Sequence, residues 1–200
     1  MSRSRLAASL ALALALSLAL CAGPVAAQPA AQPGAPGMDV PAPLLPGDAF
    51  GEEVTLPERT VIYLKGHTDW DAAFETLVDA FKSLHDYLSK QGTKPSGAAM
   101  TIYTETAITG FEFKAALPVA EAPKDPPKGD LASEAAPSGK ALKFVHRGSF
   151  RSLDTTYEAI TNYLDDKGLE ARDLFIEEYA TDPTVADADK LVVNVFVPLK

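Results

Sequence analysis

A self-similarity at a spacing of 76 residues constrains this chain more than any other feature. Tyr87-Leu88-Ser89-Lys90-Gln91-Gly92 recurs as Tyr163-Leu164-Asp165-Asp166-Lys167-Gly168, and eleven residues beyond each glycine stands a tyrosine, Tyr103 and then Tyr179. Each half opens on a short apolar run ending in glycine (Val61 to Gly66, Phe144 to Gly148) and closes on one ending in proline (Ala115 to Pro118, Val195 to Pro198). A segment repeated at this length is a supersecondary unit that buries its apolar side against its own copy. The order predicts two copies of strand, helix, strand, strand. The expected fold is α+β, a pseudo-twofold pair of βαββ units whose antiparallel sheets form a central groove, with the helices on the opposite face.

The helices carry the strongest local signal. Trp70, Phe74, Leu77, Phe81, Leu84 and Leu88 fall at three- and four-residue steps, the stripe of a helix buried along one side, and Gly92 stands where a left-handed ending costs little. Leu153, Tyr157, Ile160 and Leu164 repeat the stripe, with Ser152 as expected N-cap and Gly168 as terminator. Residues 121–140, rich in Pro, Lys, Asp, Gly and Ser, read as a crossover with one short edge strand after Gly129. The two halves are therefore expected over 49–121 and 140–200 of one domain, 49–200.

The N-terminal quarter has a different composition. Arg3 and Arg5 precede an unbroken run of small and leucine residues from Leu6 to Leu20, followed by Val25-Ala26-Ala27. That order is a secretory signal, with cleavage expected after Ala27; the apolar run is short of the roughly twenty residues that span a bilayer. A lipoprotein site at Cys21 is disfavoured by the bulky Leu20 before it. Residues 28–48 are rich in Pro, Ala and Gly and read as a flexible linker. The expected location is periplasmic or secreted, with no stable membrane insertion after cleavage. Loss of Arg3 and Arg5 leaves 16 basic residues against 27 acidic ones, a formal charge of −11, which repels nucleic acid and anionic membranes. Loss of Cys21, the single cysteine, removes thiol nucleophiles, thiolate metal sites and disulfides.

Few residues offer chemistry. His67, His85 and His146 share no metal-ligand spacing, so no metal is expected. Ser149 and Ser152 near His146 belong to no G-x-S-x-G turn and are read as helix caps. No glycine-rich phosphate cradle exists, and no cofactor is expected. Strand alternation sorts the run after the second helix: Leu174 and Ile176 point one way, expected to be toward the helix, and Phe175, Glu177 and Tyr179 the other. In the first half Met100 and Ile102 are expected toward the helix, and Thr101, Tyr103 and Glu105 away from it. An acid among aromatic rings can pair with a cationic ligand whose apolar body stacks on them, or serve as a general acid or base.

Val145-His146-Arg147-Gly148-Ser149-Phe150 before the second helix, Glu177-Glu178-Tyr179 followed by Asp182-Pro183, and the terminal Val195-Phe196-Val197-Pro198 resemble the GyrI-like small-molecule-binding domain, the effector-binding module of AraC- and MerR-type multidrug regulators. The resemblance covers about residues 50–200 and implies a groove that takes bulky, flat, often cationic compounds, with Glu177 at its bottom. Two departures are an exported start and the lack of a DNA-binding domain. The expected function is periplasmic binding of bulky aromatic small molecules, cations among them, by Glu177, Tyr179, Phe175, Tyr103 and Trp70. Two alternatives stand: a hydrolase of strained electrophilic xenobiotics with Glu177 as acid/base, and an envelope protein-interaction module with a vestigial groove. No protein partner is specified.

Overall fold

The computed structural model describes residues 41–123 and 127–200. The expected signal peptide, and the linker up to residue 40, lie outside the described residues. The described chain forms strands β1 (Phe50–Leu56), β2 (Thr60–Asp69), β3 (Met100–Thr106), β4 (Gly110–Val119), β5 (Leu131–Ala135), β6 (Gly139–Gly148), β7 (Phe175–Tyr179) and β8 (Leu191–Pro198). Helix α1 (Ala73–Lys90) follows β2, and α2 (Leu153–Lys167) follows β6 behind a 3-10 turn, Phe150–Ser152. The α+β class and both βαββ units are as expected, including the edge strand after Gly129. Strand β1 was not anticipated: the adjacent acids Glu52 and Glu53, and the bulge between Phe50 and Glu52, obscure its period.

All eight strands join one antiparallel sheet in the order β1-β6-β8-β7-β3-β4-β2-β5. Exchanging the halves reverses that order onto itself, so the central β3–β7 ladder lies on the pseudo-twofold axis. Each half lends its leading strand to the other, β1 pairing with β6 and β5 with β2. These exchanges force the sheet to coil. Laid flat, β1 and β2 would stand six strand spacings apart, about 29 Å, yet only residues 57–59 join them, a reach of about 14 Å. The link from β5 to β6, residues 136–138, is equally short. The two links meet where the Ala136 N–H donates to the Arg59 carbonyl at 2.8 Å.

Coiling gives the sheet two buried faces. On one, Ile62, Phe113, Leu117, Phe144, Val195 and Tyr179 pack with Leu77, Phe81, Leu84 and Leu88 of α1 and Ile160 and Leu164 of α2. On the other, Val61, Met100, Ile102, Ala116, Ala141, Ile176 and Phe196 form a smaller core inside the curl. This overturns the expected orientation of the helices. Met100, Ile102 and Ile176 face away from them, and the side chains of Phe175, Glu177, Tyr179 and Tyr103 lie on the helix side. Alternation separates two faces but does not say which meets the helix when both are apolar.

Local chemistry explains the ends of these elements. Gly168 takes φ 61° as the left-handed cap of α2, as expected. Ser149, in place of Ser152, caps the 3-10 turn: its Oγ accepts the Ser152 N–H at 3.2 Å, while the Ser152 hydroxyl donates to the Ser149 carbonyl at 2.9 Å. Trp70 is not on the α1 stripe but on the turn after β2, three residues ahead of the helix. The end of the expected linker is anchored: Asp48 receives both Arg147 Nε and Nη2, at 2.7 and 2.8 Å, and the Ala42 N–H donates to the Arg147 carbonyl.

Candidate functional site

The axis of the fold organises a large cleft. From the helices through β3 and β7, residues 76 apart occupy the same place in the two halves, and such a pair can touch only where the axis passes between its members. Thr101 and Glu177 do so in the β3–β7 ladder. Phe74 and Phe150 do so at the starts of α1 and of the 3-10 turn, their ring centroids 5.2 Å apart. Glu177 of the first pair and both rings of the second line a cleft of about 1720 Å³: Glu177, Tyr103 and Phe175 come from the strands, Phe74 and Glu75 from α1, and Tyr157 and Asp154 from α2.

Glu177 is the chemical centre. It is 1% exposed, and both of its oxygens are bound by phenols: Tyr157 donates to Oε1 at 2.8 Å and Tyr179 to Oε2 at 2.7 Å. The Tyr103 hydroxyl acts on the same carboxylate. Thr101, fully buried on the neighbouring strand, completes a relay, its hydroxyl 3.2 Å from the Tyr179 oxygen. Burial pushes the Glu177 carboxyl above the ordinary glutamate value, opposed by the hydroxyls of Tyr179, Tyr157 and Tyr103. Burial and the adjacent carboxylate hold all three phenols well above the usual tyrosine range, so they stay protonated and donate.

The two half-sites around this centre differ. In the second half Tyr157 of α2 stands against Phe175, ring centroids 5.5 Å apart, and faces the cleft. At the matching place in the first half Phe81 packs on Tyr179 at 5.5 Å, and both are buried in the core. One half-site is open and polar, the other filled.

The sequence-derived site residues divide accordingly. Glu177, Tyr103, Phe175 and Trp70 line the cleft. Tyr179 lies behind Glu177, 2% exposed, and positions the carboxylate. Trp70 sits at the rim, 48% exposed, stacked on Phe111 at 4.7 Å and tied by its indole N–H to the Ala107 carbonyl at 3.1 Å. Sequence reasoning assigned Tyr157 to the core stripe and missed its hydroxyl. The available signal was its register: 76 residues earlier the same stripe position holds Phe81, which has no hydroxyl to place.

The electrostatics of the cleft are one-sided. Asp69, Asp71, Glu75, Asp154, Asp189 and Glu177 line it, against Arg151 as the single basic residue among the described lining. Clefts walled by one sign of charge concentrate ions of the other sign. Among the described residues no His/Cys/Asp/Glu cluster suited to a metal occurs, and no helix is long and apolar enough to cross a membrane. His146 is buried away from the cleft, its Nε2–H donating to the Ser149 carbonyl at 3.0 Å and its Nδ1 accepting the Thr156 hydroxyl at 2.8 Å.

A coiled antiparallel sheet with two helices around an aromatic cleft and a buried carboxylate is the layout of an effector-binding domain. The family profile of the GyrI-like small molecule binding domain matches residues 52–200, and the chain belongs to that family. A comparison with curated proteins finds no match. Among solved structures, EcmrR in its DNA complex is similar at 16% identity and a TM-score of 0.64, over 74% of this chain and 56% of that one. This chain thus spans about half the length of EcmrR. The C-terminal domain of EcmrR alone gives 15% identity and 0.58, over 74% and 96% of the two chains. SAV2435, solved bound to tetraphenylphosphonium, gives 12% identity and 0.51, over 74% and 93%. A hydrolase from Listeria innocua gives 14% identity and 0.50, over 74% and 91%. At these identities the likeness is one of fold.

Proposed function

We propose that this protein binds bulky aromatic cations in the axial cleft, with Glu177 as the charged anchor, outside the cytoplasm. The observation that carries this reading is a buried carboxylate at the meeting of the two halves, in a cleft walled by aromatic rings and rimmed by acids. The cation gains Coulombic attraction in a partly dry site, and its apolar body stacks on the rings. Family membership and the tetraphenylphosphonium-bound neighbour support the ligand class. Export is supported by Arg3, Arg5 and the run from Leu6 to Leu20.

The test is calorimetric titration with tetraphenylphosphonium. Saturable binding that weakens about 5- to 100-fold in Glu177→Gln is expected, the scale of one charge-assisted contact. Equal affinity in the two proteins would remove Glu177 as anchor. Fusion of residues 1–40 to a reporter active only outside the cytoplasm tests export; an inactive fusion overturns it.

The phenol donors around Glu177 also favour a second reading, hydrolysis of a strained electrophile such as an epoxide. Water would attack the ring carbon as its C–O bond breaks, Glu177 would take the water's proton, and Tyr157 would donate to the opening oxygen and be reprotonated from Glu177. Recovery of a limiting epoxide unchanged after long incubation rules this out.

A further inference from the structure

We propose that Phe74 and Phe150 form a two-ring clamp that makes the cleft select planar aromatic ligands over bulky ones of the same charge. The proposal rests on the reading of the cleft as a ligand site, and it concerns what that site discriminates.

The two rings are the only aromatic pair among the described contacts whose members lie 76 residues apart, so they straddle the pseudo-twofold axis. The Thr101–Glu177 pair straddles the same axis within the sheet. The clamp and the carboxylate are therefore aligned, the carboxylate in the sheet and the rings on the helix side, both lining one cavity. A ligand placed on the axis meets the rings and the acid together.

The spacing sets the selectivity. The ring centroids stand 5.2 Å apart with planes tilted by 44°. A flat aromatic system held between two rings needs about 3.5 Å on each face, about 7 Å in all. Admitting it requires the rings to part by about 2 Å. A propeller-shaped ligand, with rings twisted out of any common plane, demands a much wider separation.

Both rings sit at the starts of their elements, where the Phe150 N–H is held by the Ala188 carbonyl at 3.1 Å and the Ala72 N–H by Asp69 Oδ1 at 2.8 Å, so the parting falls to the side chains and the first turns. Phe150 opens a three-residue 3-10 turn, and Phe74 is the second residue of α1, whose N-cap residue Ala72 makes no side-chain hydrogen bond. First turns lack the intrahelical bonds that hold a helix interior, and 3-10 geometry is weaker than α. Parting the rings therefore leaves the remainder of α1 and α2 packed on the sheet.

The experiment compares two monocations, planar proflavinium and propeller-shaped tetraphenylphosphonium, by fluorescence and calorimetric titration. The proteins are the wild type, Phe74→Leu, Phe150→Leu and the double variant, with thermal unfolding run on each. Leucine keeps apolar bulk and removes the flat face. The ratio of proflavinium to tetraphenylphosphonium affinity is expected to fall about 2- to 10-fold with each leucine, the worth of one ring stack. An unchanged ratio in variants that fold and still bind both cations overturns the clamp and leaves the anchor reading intact. Wild type is expected to bind proflavinium the tighter of the two; tetraphenylphosphonium bound as tightly or tighter overturns the clamp, and failure of both cations to bind overturns both readings. Should the variants not fold, nuclear Overhauser contacts from wild-type-bound proflavinium to both rings are the expected result, and contacts to neither ring refute the clamp.

Discussion

Thr101 and Glu177 face each other across the central β3–β7 ladder, at the same place in the two halves of the fold. Both are buried, and the Tyr179 hydroxyl joins them, 3.2 Å from the threonine oxygen and 2.7 Å from the carboxylate. An approximately symmetric framework thus carries one charge, at the point where symmetry would otherwise have placed two carboxylates in direct repulsion.

Removing the middle of that relay should cost stability. Tyr179→Phe leaves Glu177 Oε2 and the Thr101 hydroxyl short of a partner in a dry site, and an expected loss of about 1–3 kcal/mol follows. Urea denaturation measures it; a change below about 0.5 kcal/mol would mean that the carboxylate finds another donor.

The pH dependence of stability should contain two opposed contributions. Burial raises the Glu177 carboxyl above 4.5, so the folded protein takes up that proton more readily than the unfolded chain, and stability grows as pH falls toward 4.5. Burial lowers the His146 imidazole below 6.5, against the Ser149 carbonyl bond and the charge of Asp154. Its contribution is complete above 6.5 and is lost as pH falls through the lowered value. In Glu177→Gln only the histidine limb remains, so the variant should lose stability faster than wild type between pH 6.5 and 4.5. Parallel denaturation profiles would show that Glu177 titrates alike in both states.

Trp70 is the only tryptophan of the chain and stands half exposed at the cleft rim. Saturation with tetraphenylphosphonium is therefore expected to change its emission with the same midpoint as the calorimetric titration. Emission that stays constant through saturation would place the bound cation away from the Trp70 side of the cleft.

Gly51 has φ 75° at the bulge of β1, and an added Cβ would run into the ring of Tyr163. That ring packs edge-on against Phe50 and Phe144. Gly51→Ala should cost more than about 1 kcal/mol through strain and displaced packing. A thermal midpoint equal to wild type would show that the bulge relaxes without cost.

The Asp48–Arg147 pair should hold residues 41–48 against β6. Asp48 has its carboxyl lowered to about 2 by hydrogen bonds from Arg147 and from the Leu45 N–H. Its contribution is present above 3.8 and disappears as pH falls through 2. In Asp48→Asn, faster amide exchange at Ala42 with unchanged exchange in β8 is the expected signature; uniform exchange across the domain would mean that the strap is held by other contacts.

Much of this was legible in the chain itself. The 76-residue spacing, the two helical stripes and the terminating glycines all arise from local periodicity, which survives without knowledge of any partner. They led to two βαββ units, the edge strand after Gly129 and the pairing of Glu177 with aromatic neighbours. The tertiary structure decided which face those neighbours share. Strand alternation is indifferent to direction, and only the exchange of β1 and β5, which coils the sheet, shows why Ile176 faces the inner core and Glu177 the helices. It also moved Trp70 to the rim and drew Tyr157 out of the stripe to the carboxylate. Phe74 and Phe150 came face to face for the same reason: contact between residues so far apart in sequence follows from how two copies dock, and nothing within either copy encodes that.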